Sequence, residues 1–500
     1  MSSSLTEPWL RGVAANAAAP SGVLLRLLHP AARAAWQVLC RERALPSAVV
    51  DAVIAHPEPA LRRAFARSHY ATAAQRSPLV DDPDAFVLSD LASGPQPRRE
   101  RVEPLPDDVV ETLLTRQDDP AGGRPFATAD DIRHDLVYSR QISVSYHRAM
   151  PAHRNPGLRV QAAGRWLWLT PGQREALLAD PEPSVRDAAR RHSRVLDPAA
   201  MEAELPEADG HMRSLMLLEY AVSHAVAEAC LAQGRDLWSL AHNRHTPADV
   251  VARLAHDPDP RVRACVAGRA DLGRPLLDEL ARDPDDAVRT RARAHPLPRT
   301  WPQRHALDRV FGLATEDIGP FGEMRVEPDS EWYGTCAASE HPLLRRVAAT
   351  CPGLPEHLVR RLADDPDEQV RHLLACNHPL APPRIVLDAF VAIPRGRPYL
   401  LTLSRLPRTG LRHLLGHGDP EVRGLAAGDP TLGGPPVDLL TDTDAGVRRA
   451  AAANPLLPAD LIATLLDRPA TAEGAAANPG LSAERLHELL DRAGLPRGGQ

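Results

Sequence analysis

The chain has 500 residues and a net charge of −6, and it is 43% hydrophobic but only 4% aromatic, with 50 prolines. That near balance of charge does not mark a nucleic acid or a membrane surface as the partner of the whole chain. All 59 basic residues are arginine, which removes chemistry built on lysine: Schiff bases, the phosphate-loop lysine and the kinase lysine.

Met1 to Gly12 carries no basic-then-apolar leader, and no apolar run is long enough to span a bilayer. The six cysteines (Cys40, Cys230, Cys265, Cys336, Cys351, Cys376) are scattered without a C-x-x-C pair, which argues against disulfides, zinc and iron–sulfur clusters. The expectation is a cytoplasmic protein in a reducing setting, with no cofactor, no metal and no small-molecule substrate.

In chain order, Leu28 to Ile54 and Ile54 to Val80 read as two weak repeat units, with His29-Pro30 and His56-Pro57 at their starts. Residues 81–104, with Gly94-Pro95-Gln96-Pro97 and the run Arg98-Arg99-Glu100-Arg101, read as a linker or exposed loop. Units resume near Asn155-Pro156 and become clear at Asp180-Pro181 with Val185-Arg186. His211 to Gln233 reads as one longer helix closed by Gly234.

The best copy is Asp257-Pro258-Asp259-Pro260-Arg261-Val262-Arg263. Asp257 reads as an N-cap, with Pro258 in the first turn. Val262, Cys265 and Val266 share one helical face. Gly268 to Gly273 breaks the helix, and Leu276, Leu277 and Leu280 line a second one. Further copies start at Asp283, Asp365, Asp419 and Asp442; the steps from Arg263 to Arg289 and from Arg423 to Arg448 are 26 and 25 residues. Asn454-Pro455, Asn478-Pro479, Asp429-Pro430, His295-Pro296, Cys351-Pro352 and His378-Pro379 mark the same mid-repeat break. Helices this short are marginal alone, since isolated ones need roughly 12–15 residues, so stability must come from stacking. The predicted fold is an all-α solenoid of about 15–18 short helix pairs, curved enough to offer a concave face.

Asp and Arg stand six residues apart in Asp180/Arg186, Asp257/Arg263, Asp283/Arg289, Asp365/Arg371 and Asp442/Arg448. This resembles the Asp…Val-Arg pattern of HEAT repeats, whose side chains form a ladder between successive units. The shorter period and the Asn-Pro/Leu-Leu second half resemble the leucine-rich repeat variant family, a right-handed bacterial solenoid. The resemblance covers 28–80, 155–300 and 340–492 with interruptions. The cysteine cluster that holds an iron–sulfur centre in the founding type is missing, so the resemblance implies the fold and not the cofactor.

The expected divisions are 1–80 degenerate repeats, 81–150 linker and irregular helix, 151–310 central solenoid, 311–340 insertion, 341–493 C-terminal solenoid and 494–500 tail. Thr315 to Glu340 holds seven acidic residues against Arg325 alone, with aromatics among them. Insertions in repeat proteins cluster on one face, and Trp and Tyr anchor interfaces. Phe321, Asp329, Glu331, Trp332 and Tyr333 are therefore the candidate partner-binding residues, against the plainer reading that they pack an irregular unit. His211, His224, His242 and His245 show no metal-ligand spacing, and neither H-E-x-x-H nor a hydrolase or kinase motif occurs. The expected function is a non-catalytic scaffold that binds a protein partner on its concave face. Nucleic-acid binding of a HEAT-like, DNA-repair kind is the second expectation, resting on twelve arginines against nine acids in 253–309.

Overall fold

The computed structural model describes residues 5–97, 102–118, 127–294, 306–307, 310 and 330–497. The regular structure among them is all-α, short α- and 3₁₀-helices packed against their sequence neighbours as a solenoid, with one isolated bridge between Ser68 and Gln96. No described helix is long and apolar enough to cross a membrane.

Several repeats start with an acidic pair. In the copy at 257 the N-cap is Asp259, whose carboxylate accepts from the Arg261 amide, and Pro260 opens the helix Pro260–Ala267. The sequence reading places the cap two residues earlier. Asp257 instead accepts from the Asp259 amide at 2.8 Å, so it shapes the turn that presents the cap. Asp283 and Asp285 repeat the arrangement, as do Asp442 and Asp444. Val262, Cys265 and Val266 are buried on the first helix, and Leu277 and Leu280 on the second, Arg274–Leu280. In the copy at 442, the helices Ala445–Ala452 and Ala459–Leu466 bury Val447, Ala451, Ile462, Leu465 and Leu466 in the same pattern.

The chain divides into two compact units: residues 1–143 with 381–500, and residues 144–380. In the first, the helices stack in an order that chain order does not give. Pro420–Ala427 packs on Ala445–Ala452, that on Ala472–Ala476, and that on Thr6–Ala15. The stack runs on through Trp36–Arg41, Pro59–Ala66 and Ala85–Ser93 to Ala129–Tyr138. The helix Thr6–Ala15 thus occupies the place of the repeat that would follow Ala472–Ala476. Two glycines permit the close approach. A Cβ on Gly474 would lie 2.2 Å from the Arg449 carbonyl oxygen, and one on Gly12 would lie 2.2 Å from that of Glu473.

Two expectations are corrected within these stacks. The stretch 81–104 contains the helix Ala85–Ser93, capped by Asp84 and burying Val87, Leu88 and Leu91, so its proline- and glycine-rich end is a loop and its start is core. Residues 98–101 lie outside the described residues. In the second unit, His211 to Gln233 is two helices, His211–Glu219 and His224–Gln233. Ser223 caps the latter, and Asn243 takes the freed carbonyls of Leu217 and Tyr220 (2.9 and 2.7 Å), which makes the break cheap. Gly234 closes the second helix in the left-handed region at φ 61°.

Candidate functional site

The repeat arginines serve two neighbours at once. Through Nε and Nη2, Arg159 donates to both carboxylate oxygens of Asp180 (2.7 and 2.9 Å), Arg263 to Asp283 (2.8 and 2.9 Å) and Arg345 to Asp365 (2.6 and 3.1 Å). In the first unit Arg62 does the same with Asp82 (2.6 and 2.9 Å) and Arg423 with Asp442 (3.0 Å twice). Nη1 turns back to the same repeat: Arg186 to the Asp180 carbonyl, Arg263 to Asp257, Arg289 to Asp283, Arg371 to Asp365 and Arg448 to Asp442, at 2.6–2.7 Å. The six-residue spacing is therefore a side-chain-to-backbone clamp, and the carboxylate pairing steps on to the next repeat. The planar fork of arginine suits this double duty, which lysine's single ammonium could not perform. The hydrogen-bonded guanidinium holds Asp180, Asp283 and Asp442 below the usual carboxylate range. These residues build the stack.

A second ladder runs through the mid-repeat break. Asn454 donates to the carbonyls of Ala427 and Asp429, and Asn478 to those of Ala452 and Asn454. Asn16 donates to those of Ala476 and Asn478, and Arg43 to those of Ala14 and Asn16. In the second unit Asn243 and then Arg269 hold the equivalent place, Arg269 reaching the carbonyls of Ala241 and Asn243 while fully buried. Sequence reading recognised Asn454 and Asn478 only as breakers. The cue available was an Asn at the start of two successive breaks, Asn454 and Asn478.

Beside Asn243 the second unit opens a cavity of about 400 Å³, lined by Leu167, Arg174, Leu196, Arg244 and His245. Its walls are two 3₁₀ turns, Trp166–Trp168 and Arg194–Leu196, the helix Pro171–Leu178 and the turn after Asn243. Thr170 and Gln173 form a capping box that starts the helix, which places Arg174 one turn in. Its Nε and Nη2 donate to the carbonyls of Trp166 and Leu167 (2.9 and 3.1 Å), and its guanidinium carbon lies 6.0 Å from the centre of the Trp166 ring. Arg244 and His245 sit on a turn pinned on both sides: Asn243 is fully buried in the ladder, and Thr246 donates to the Leu240 carbonyl at 2.7 Å.

Neither Arg174 nor Arg244 has a carboxylate within ion-pairing distance among the described residues. Arg244 reaches solvent, yet partial burial and then the field of Arg174 push its pKa down. His245 falls to about 4, from burial first and then Arg244, Arg174 and Arg269. Its Nε2 lies 3.2 Å from Arg244 Nε, so the neutral ring accepts there. Glu219 pulls the other way on Arg244 and is itself pushed up by burial. The result is an open recess lined by two cations, a neutral imidazole and two leucines. Such a recess can hold an oxyanion; it sets no nucleophile against a base.

Of the residues expected to bind a partner, Phe321 and Asp329 lie outside the described residues. Glu331 is exposed, and Trp332 and Tyr333 are half-buried on the helix Ser330–Ala338, which packs on Pro342–Ala349. Their rings meet edge to face at 5.0 Å. The helix is a repeat helix, so these aromatics serve the stack at least in part. Among the histidines, His224 comes together with Glu228 and Asp249, their ligand atoms within 4.8 Å, all exposed. Arg253 pairs with Glu228, and His224 lies 3.3 Å from Asp249, which accounts for the cluster as helix-to-helix pairing. No protein-family model matches the chain, and no curated protein matches it.

Proposed function

We infer that the chain is a non-catalytic scaffold that docks a protein partner along the concave face of its solenoid. The observation that carries this reading is the double ladder. Arg and Asp side chains at the head of several repeats and Asn side chains at several breaks are committed to neighbouring repeats, which orders the remaining surface before any partner arrives. A preordered surface loses little conformational entropy on binding, so many shallow contacts add up to useful affinity. Short stacked helices with buried Ala, Val and Leu give such a surface rigidity and no chemistry of their own.

The experiment is reconstitution. A tagged chain is isolated from its source, its co-purifying protein is identified by mass spectrometry, and the two are recombined as purified components. A complex of fixed stoichiometry whose cross-links fall on repeat helices supports the reading. Purified candidates that fail to associate at micromolar concentration overturn it. The nucleic-acid reading draws on the unpaired Arg174 and Arg244; a gel shift whose affinity falls steeply with salt would replace the protein partner with a phosphate backbone.

A further inference from the structure

Two guanidiniums, those of Arg174 and Arg244, line one open recess together with Leu167, Leu196 and His245. The ladder cations meet carboxylates at hydrogen-bond distance, whereas Arg174 and Arg244 face a common recess with none in reach among the described residues. Partial burial first, and then the field of Arg174, lower Arg244, and the same two causes with Arg244 itself lower His245. Like charges lining one recess repel each other, and an incoming oxyanion relieves that repulsion. Arg174 is also oriented in advance: two backbone carbonyls fix Nε and Nη2, and its guanidinium carbon lies 6.0 Å from the centre of the Trp166 ring.

The two leucines of the lining narrow the ligand. Leu167 and Leu196 line the same recess, and the exposed Trp168 stands at the next position of the same turn. Exposed acids lie on the lining elements, among them Glu175 and Asp197, which would repel a continuous polyanion such as a nucleic-acid backbone. A single charged group beside an apolar body fits; a long phosphate track does not.

We propose that this cavity is an oxyanion-binding pocket that captures one carboxylate or phosphoryl side chain, with its apolar neighbour, on an amphipathic segment of a protein partner. Arg174 and Arg244 grip the oxyanion, and Leu167 and Leu196 take the apolar part. The assignment of a protein as the source rests on the scaffold reading above; the pocket's affinity for the anion does not.

Phenyl phosphate, which joins an oxyanion to an apolar ring, is titrated calorimetrically into the full chain beside inorganic phosphate and phenol. Phenyl phosphate should bind best of the three, and Arg244→Gln should weaken it by at least about tenfold, the scale of one charge-assisted pair. Arg244→Lys should recover part of that loss, because charge returns without the fork. Arg361→Gln, of equal net charge and outside the cavity, should bind as the unaltered chain does. Thermal melting of each variant separates loss of the pocket from loss of the fold. A fluorescent peptide alternating Glu and Leu should compete with phenyl phosphate. Equal binding by the Arg244→Gln variant, or no binding at millimolar phenyl phosphate, overturns the pocket. A short DNA duplex that competes where the peptide fails overturns the peptide as its source. Phenyl phosphate binding that persists while no purified partner associates would fault the scaffold reading and leave the pocket standing.

Discussion

The Asn16 side-chain amide donates to the backbone carbonyl of Asn478 at 2.7 Å, the same bond that Asn478 makes to Asn454, also at 2.7 Å. Around it Trp9 Nε1 donates to the Leu466 carbonyl, Arg11 pairs with Glu473, and Arg26 reaches Asp491 and the carbonyls of Leu495 and Pro496. Residues 6–27 are held as a further repeat of the stack that ends, in sequence, at 495.

Asn16→Ala leaves the buried carbonyls of Ala476 and Asn478 without their amide donor. The expected loss is about 1–3 kcal/mol, the usual cost of unsatisfied buried polar groups. Hydrogen exchange should show the opening confined first to residues 6–16 and 466–480. Uniform acceleration across both units would mean that the seam is not a local element.

Gly12→Ala and Gly474→Ala should each be worse than their chemistry suggests. The added methyl meets a backbone carbonyl oxygen at 2.2 Å in both cases, and backbone cannot yield as a side-chain tip can. A loss of about 1–3 kcal/mol is the scale for overpacking, even though alanine is the better helix former. A neutral or stabilising result in chemical denaturation would show that the stacked helices slide apart freely.

The ladder can be tested at Arg263 and Asp283, whose side chains are 13% and 7% exposed. Arg263→Met strands a largely buried carboxylate and should cost about 3 kcal/mol. Adding Asp283→Asn removes the stranded charge while keeping the turn bond to Asp285, so the double variant should recover much of the loss. Additive losses in the double-mutant cycle would count against a coupled pair.

Acid should destabilise the chain in two stages. His147 and His245 have folded pKa values of about 3 and about 4, both lowered chiefly by burial. Each lies below the unfolded value of about 6.5, so the unfolded chain takes up the proton first and stability falls as pH drops below about 6.5. The ladder aspartates act lower. Asp180, Asp283 and Asp442 are held down by their arginines, and Asp491 falls to about 2 through Arg497. Their contribution is present above the unfolded carboxylate pKa and is lost as pH falls through the folded ones. Melting temperature followed against pH should therefore bend once below about 6.5 and again below about 4. His245→Gln should flatten the first bend; an unchanged profile would mean that His245 is not held neutral.

Much of the stack was legible in sequence because the apolar faces recur at a fixed period. Val262 and Leu280 are buried where periodicity places them. The caps were misjudged by two residues because Asp257 and Asp259 are both good cap residues, and only the geometry of the turn decides between them. The helix break at Tyr220 was invisible because its compensation comes from Asn243, more than twenty residues on. The cavity was invisible for a related reason. Arg174 and Arg244 are neighbours only after several repeats have stacked, and nothing local separates an unpaired arginine from a ladder arginine. The seam at Asn16 was hidden most deeply, since a period measured along the chain does not register its continuation across two distant segments.

That seam has a cost in time. Asn16 is made 462 residues ahead of Asn478, and although Pro30–Ala35 and Trp36–Arg41 can pack on its helix early, the side that faces Ala472–Ala476 has no lasting cover until that helix is made. Contacts this remote in sequence form late and leave sticky surface waiting during synthesis. The helix Thr6–Ala15 is thus made early and seated on that side late.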